Sequence, residues 1–195
     1  MNSTKVTTDR LTYLEERVRY LEEENRNYLA ILDMLSSCND FQADLNRDKS
    51  TEGIFRATLT QFSRLFPFQG MGLLEIREDN SFALTVCEPQ SCGDELSIDI
   101  DRVIMEGTFA WSLNRNQPIT APAANGSQTL LFHVIATWPR IRGMFIGRLQ
   151  GNPAHIDAPS LHAISNVLLI TAYAMESSIL YGMLQENGST TELGI

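Results

Sequence analysis

Between Asp9 and Ser37 the chain repeats apolar residues with a period of seven, and this repeat limits what its N-terminal part can fold into. With Leu11 at position a, the a positions are Leu11, Val18, Asn25 and Leu32; the d positions are Leu14, Leu21, Tyr28 and Leu35. All but Asn25 are apolar or aromatic. A narrow a/d seam held strictly at seven specifies a partner helix, where a lone surface helix would show a broader, drifting stripe. The outward positions are rich in Glu and Arg, good helix formers, and Thr7, Thr8 and Asp9 supply an N-cap. Charge sets the orientation. In a parallel pair Arg10 faces Glu15 of the second strand and Arg17 faces Glu22, whereas an antiparallel pair brings like charges together. Each exposed pair contributes only about 0.2–1 kcal/mol, but the sign favours parallel strands. Asn25 at an a position favours two strands in one register, at a cost in stability. The expectation is a parallel homodimer. From Leu29 onward, Ile31, Met34 and Leu35 widen the apolar surface, and the zipper is expected to merge there with a bundle.

The 195 residues suffice for one globular domain besides this helix. A net charge of -9 argues against phosphate backbones and anionic lipid surfaces, so neither nucleic acid nor a membrane is an expected partner. Cys38, Cys87 and Cys92 are too few and too irregular for a disulfide framework or a zinc quartet, and fit a reducing compartment. The first residues, MNSTKVTTDR, lack the apolar core of a signal peptide. The longest apolar run, Val167 to Met175, is too short to span a bilayer. A cytoplasmic protein is expected, and no metal set or cofactor can be named.

Five segments follow: a disordered start over 1–8, the coiled-coil helix over 9–37, a polar connector over 38–50, a folded domain over 51–184, and a flexible tail over 185–195. Within the domain, Ile54, Phe55, Thr58, Phe62 and Leu65 predict a helix from an N-cap at Thr51 to the stop at Pro67. Met71–Arg77 and Phe82–Cys87 predict a hairpin. Leu96–Ile100 alternates as a half-buried strand would. Asp101 then caps a helix through Leu113, which Gly107 can divide. Pro118–Pro122 reads as an edge piece, and Leu130–Trp138 with Ile141–Leu149 as a second strand pair. Between Ala158 and Leu184 only Glu176 is formally charged, so the last helix, capped near Asp157, must be covered on more than one side. One side suits the sheet. The other suits the widened end of the first helix, which in two copies makes a four-helix bundle.

This order of elements resembles a GAF domain over about residues 50–184. Gly107–Ile119 is similar to the family's segment that ends in a proline-hydrophobic step into a strand. Arg142–Leu149 is similar to its penultimate glycine-containing strand, and Ile156–Tyr181 to its closing helix. The resemblance implies an α+β fold, with an antiparallel sheet flanked by helices, a pocket for a small ligand on one face and helices for dimerisation on the other. The pocket candidates are Phe109, Trp111, His133, Cys87 and Arg142, although core roles for Phe109, Trp111, His133 and Cys87 and an exposed edge role for Arg142 stay open. The Asn-Lys-Phe-Asp-Glu set of cyclic-nucleotide members is absent. No cysteine precedes a histidine, as in bilin-binding members. Cys87 and Cys92 sit in the element types that free methionine sulfoxide reductases use, but Glu88 and Asp94 beside them disfavour a thiolate. The expectation is therefore not an enzyme. Two readings lead, a homodimeric sensory module that relays ligand binding to a downstream signalling protein or a ligand-free dimerisation adaptor, with a thiol-dependent enzyme similar to the free methionine sulfoxide reductases as a remoter third. Bulky side chains filling the pocket face favour the adaptor.

Overall fold

The computed structural model describes residues 2–77, 79–150 and 158–191. In chain order the elements are α1 (Asn2–Arg47), α2 (Thr51–Leu65), β1 (Phe68–Ile76), β2 (Phe82–Glu88), a 3-10 turn (Gln90–Cys92), α3 (Gly93–Met105), α4 (Thr108–Leu113), β3 (Ile119–Pro122), β4 (Gln128–Ala136), β5 (Ile141–Gln150) and α5 (Ala158–Thr191). The chain divides into two compact units, Met1–Cys38 and Asn39–Ile195.

The first unit is helix. It starts at Asn2, where a disordered start over 1–8 was expected. Leu11, Leu14, Val18, Leu21, Tyr28 and Leu32 are all exposed, as is Asn25. The side chain of Leu35 lies outside the described residues.

The second unit begins inside α1. A polar connector over 38–50 was expected, but the helix continues to Arg47. The reason is that Phe41 and Leu45, one turn apart, are buried in the domain core. Only Asp48, Lys49 and Ser50 separate α1 from α2. Ser50, not Thr51, is the N-cap, its hydroxyl accepting from the Gly53 amide at 3.0 Å. The Asp48 carboxylate accepts from the Ser50 amide at 2.9 Å. The Ser178 hydroxyl of α5 donates to the Lys49 carbonyl, and the Lys49 ammonium sits 4.8 Å above the Tyr181 ring.

The five strands form one antiparallel sheet in the order β2-β1-β5-β4-β3. Alternate residues point to opposite faces. Leu73, Leu131, Ile135 and Phe145 pack with Phe55, Leu59 and Phe62 of α2 and with Ile164 and Leu168 of α5. Leu74, Leu130, Phe132, Met144 and Ile146 pack with Leu96, Ile100 and Val103 of α3 and with Phe109 of α4. At Gly143 the strands approach so closely that a Cβ would meet the Leu74 carbonyl oxygen at 2.3 Å.

The segment expected as a strand, Leu96–Ile100, lies inside α3. Leu96, Ile100 and Val103 also recur at helical spacing, and Asp94 and Glu95 complement the helix N-terminus. Gly107, at φ 76°, divides α3 from α4. α5 runs on to Thr191, past the tail expected from Gln185. Its expected cap at Asp157 lies outside the described residues. Pro159–Leu184, with a mean hydropathy of 1.5, is long and apolar enough to cross a membrane by length and composition, which corrects the shorter estimate from Val167–Met175. Ala163, Ile164, Val167, Leu168, Thr171, Ala172 and Met175 of that helix are buried within the domain, and most of the remaining span is part-buried or exposed.

If the last turns of α1 belong to the domain core, Phe41→Ala lowers stability in urea unfolding by about 3–5 kcal/mol, the cost of emptying a buried aromatic site. A loss below about 1 kcal/mol would show that those turns are dispensable.

Candidate functional site

Beneath α3 and α4 the sheet presents one charged side chain to an apolar interior. Arg148 of β5 is buried, and its Nε donates to Asp99 Oδ2 at 2.7 Å. Its terminal nitrogens reach Asp99 Oδ2 at 2.6 Å and the Glu95 carbonyl at 2.9 Å, and also pair with the Glu95 carboxylate. The other Asp99 oxygen accepts from the Ala124 amide at 2.7 Å. Burying two ions costs several kcal/mol each, and here both carboxylate oxygens of Asp99 have donors to offset it. The result ties α3 to β5 and to the β3–β4 turn. Around it, Phe82, Leu84, Phe109, Phe132, Met144 and Ile146 fill the space between helices and sheet. Phe82 and Phe109 meet edge to face at 4.8 Å.

A second concavity lies at the end of the sheet. It is a cleft of about 440 Å³, within the range of ligand sites. Leu113–Asn116, after α4, form one wall. Val134 and Ala136 of β4 form the floor, the turn Thr137–Arg140 one end, and Leu169 and Tyr173 of α5 the other wall. β3 pairs only with Thr129–Phe132, so His133–Ala136 have no strand on their outer side. Pro118, lacking an N–H, stands where β3 would have to continue.

Three solved structures show what this arrangement is. The GAF domain of a Pseudomonas syringae pv. tomato protein assigned as a sensor histidine kinase aligns with a TM-score of 0.62 at 14% identity, covering 85% of this chain and 97% of that one. The GAF domain of a phosphoenolpyruvate-protein phosphotransferase from Coxiella burnetii aligns at 0.58 and 13% identity, covering 78% and 98%. The third GAF domain of Slr1393 from Synechocystis, in its photoproduct state, aligns at 0.55 and 16%, covering 70% and 99%. The fold is a GAF fold. No protein-family model and no curated protein matches the sequence.

The GAF sheet does not bring the five pocket candidates together. Phe109 lies in the packed interior under α3 and α4. Trp111 turns outward, half exposed, with the Arg115 guanidinium 4.6 Å over its ring, and so does not roof a pocket. Cys87 is half-buried at the end of β2, its thiol directed to the Gln90 carbonyl at 3.7 Å. Arg142 is bound to Glu176 of α5 through two contacts, at 2.7 and 2.5 Å. This ion pair holds the Glu176 carboxyl below its usual range. His133 points to the opposite face from Phe109. It is buried against α5, Nδ1 lying 2.7 Å from the Val134 carbonyl and Nε2 3.0 Å from Ser165 Oγ. A carbonyl can only accept, so Nδ1 carries the proton, and Nε2 and the Leu161 carbonyl, 3.2 Å from the hydroxyl, are two acceptors for the one Ser165 proton. Cys92 is buried; burial, then the neighbouring Cys87 thiol, push its thiol up in pKa, away from thiolate chemistry.

Sequence reasoning missed Asp99 and Arg148. Arg148 is a charge within an apolar strand, a signal that could have found it, whereas Asp99 was hidden by the strand assignment of its segment.

Two outcomes test these assignments. Asp99→Ala strands Arg148 without its partner and destabilises by about 3–5 kcal/mol in chemical denaturation; Asp101→Ala, exposed on the same helix, stays within about 0.5 kcal/mol. Burial lowers the His133 pKa, so the folded protein resists the proton that the unfolded chain binds near its ordinary pKa of about 6.5. Stability therefore falls as pH drops below about 6.5, and by no more than about 1.4 kcal/mol per pH unit for this one site. His133→Gln flattens that part of the curve measured by thermal melts between pH 5 and pH 7.5; an unchanged slope would remove His133 as its source.

Proposed function

We propose that the chain is a regulatory module that works as a parallel homodimer and passes a change in its GAF-fold domain to a partner signalling protein. The supporting observation is the α1 seam: Leu11, Leu14, Val18, Leu21, Tyr28 and Leu32 are each 47–61% exposed in the single chain. Covering the exposed half of such side chains is favourable by about 1 kcal/mol apiece, and the heptad spacing favours a second copy as the cover. α5 offers more apolar surface in its later turns, where Leu180, Met183 and Leu184 are also exposed. The fold, shared with domains taken from a sensor kinase and a phosphotransferase, suits regulation.

Between the two versions of this reading, the packed α3–α4 face favours the adaptor. A small ligand under α3 would have to displace Phe109 and Phe132 and part Arg148 from Asp99. Regulation through assembly and protein contact needs no such opening.

Sedimentation of the full chain at micromolar concentration should give a dimer. Leu14→Asp with Leu21→Asp should give a folded monomer with unchanged far-ultraviolet signal per domain residue. A wild-type monomer, or a variant that still dimerises, would sink the reading. Asn25→Val should raise the dimer's melting temperature and admit higher oligomers, because it removes the polar pair that specifies two strands.

A further inference from the structure

We propose that the cleft at the free edge of β4 docks an extended, acidic segment of a partner protein, which adds a short strand beside His133–Ala136. The groove is contained in one copy of the domain, so this goes beyond the dimer reading and does not rest on it.

Three independent features converge. The first is the backbone edge. β3 stops pairing at Phe132 while β4 runs to Ala136, leaving about 13 Å of strand without a partner strand at 3.3 Å per residue; of its residues Val134 and Ala136 line the cleft, whereas His133 and Ile135 are buried. An open edge is a template for another strand. The second feature is charge. Arg115 and Arg140 line opposite parts of the cleft, and among the described residues neither has a carboxylate within ion-pair distance. Glu176 is near enough to feel Arg140, but its oxygens are held by Arg142. These two cations, without a carboxylate partner among the described residues, stand on a chain whose net charge is -9. A partner with carboxylates completes them; a basic or neutral one does not. Arg115 is already held over Trp111, which reduces the entropy lost when it pairs. The third feature is aromatic surface. Trp138, at the tip of the β4–β5 turn, is 99% exposed, and Tyr173 opposite is 56% exposed. Such side chains form the anchors of protein interfaces.

A strand laid along His133–Ala136 directs alternate side chains to the two walls. Apolar residues on one face meet Leu169 and Tyr173, acidic residues on the other meet Arg115, and a carboxylate side chain at the end of the segment meets Arg140 in the turn. The recognised sequence is therefore an alternation of apolar and acidic residues, read without a helix and without a terminus.

The test uses the full chain and a fluorescein-labelled peptide of alternating Val and Glu. Two control peptides replace every Glu by Lys, or the central Val by Pro, which removes a strand donor. Fluorescence anisotropy should show saturable binding of the Glu peptide, with both controls at least about tenfold weaker. Arg115→Ala with Arg140→Ala, both exposed positions, should weaken the Glu peptide by about tenfold and leave the melting temperature unchanged. Amide shifts should concentrate at His133–Ala136. The idea is overturned by no binding at about 1 mM peptide, by equal binding of the Lys or Pro peptide, or by shifts elsewhere. Displacement of the peptide by an equal concentration of succinate would overturn it in favour of a small dicarboxylate site. Peptide-sensitive association beyond a dimer would overturn it in favour of a second copy in the groove. The Leu14→Asp, Leu21→Asp variant should bind the peptide as the parent does, which separates this outcome from that of the dimer reading.

Discussion

Strands β4 and β5 hide side chains on both of their faces, and most of the domain exists to cover them. An antiparallel sheet commonly leaves one face in water. This one cannot, because Leu130 and Phe132 face one way while Leu131 and Ile135 face the other. α2 and α5 cover one side, α3 and α4 the second. The buried charge that β5 brings to this interior, Arg148, then dictates the phase of α3, since Asp99 must face inward to meet it. Closure of that face follows from the same pairing. A helix held by a buried ion pair and by apolar contacts on either side has little freedom to lift.

Periodicity was a good guide wherever an element had one exposed face or was long. α2, the two hairpins and the body of α5 could be read directly, because Ile54, Phe55, Thr58 and Phe62 keep helical spacing and the strand pairs are bounded by turn residues. α3 could not. Over Leu96-Ser-Ile-Asp-Ile, alternation and helical spacing both place an apolar residue at Leu96 and Ile100, and only the contact of Asp99 with a residue far along the chain decides between them. The last turns of α1 were misread for the opposite reason. Phe41 and Leu45 are too sparse among polar neighbours to signal a helix, yet two buried side chains one turn apart suffice to anchor it.

The candidate site was less legible than the fold. Which residues share a sheet face depends on strand parity, and parity depends on which face each helix covers. His133 and Phe132 are adjacent in sequence and lie on opposite sides of the sheet. The cleft depends on where β3 ends relative to β4, which is a matter of register. Pro118 and Pro139 mark its limits in the sequence, but their meaning emerges only once Ile119 is paired with Phe132.

The joint at Asp48–Ser50 also has a mechanical meaning. Three residues link α1 to α2, and α5 grips the link through Ser178 on the Lys49 carbonyl and Tyr181 under the Lys49 ammonium. Asp44 of α1 adds a long ion pair, 3.9 Å, to Arg64 of α2. The last turns of α1, the start of α2 and the later part of α5 are thus clamped around one short pivot. Torque applied to any one of them is shared by all, and the domain has a single lever where its connectivity suggests three.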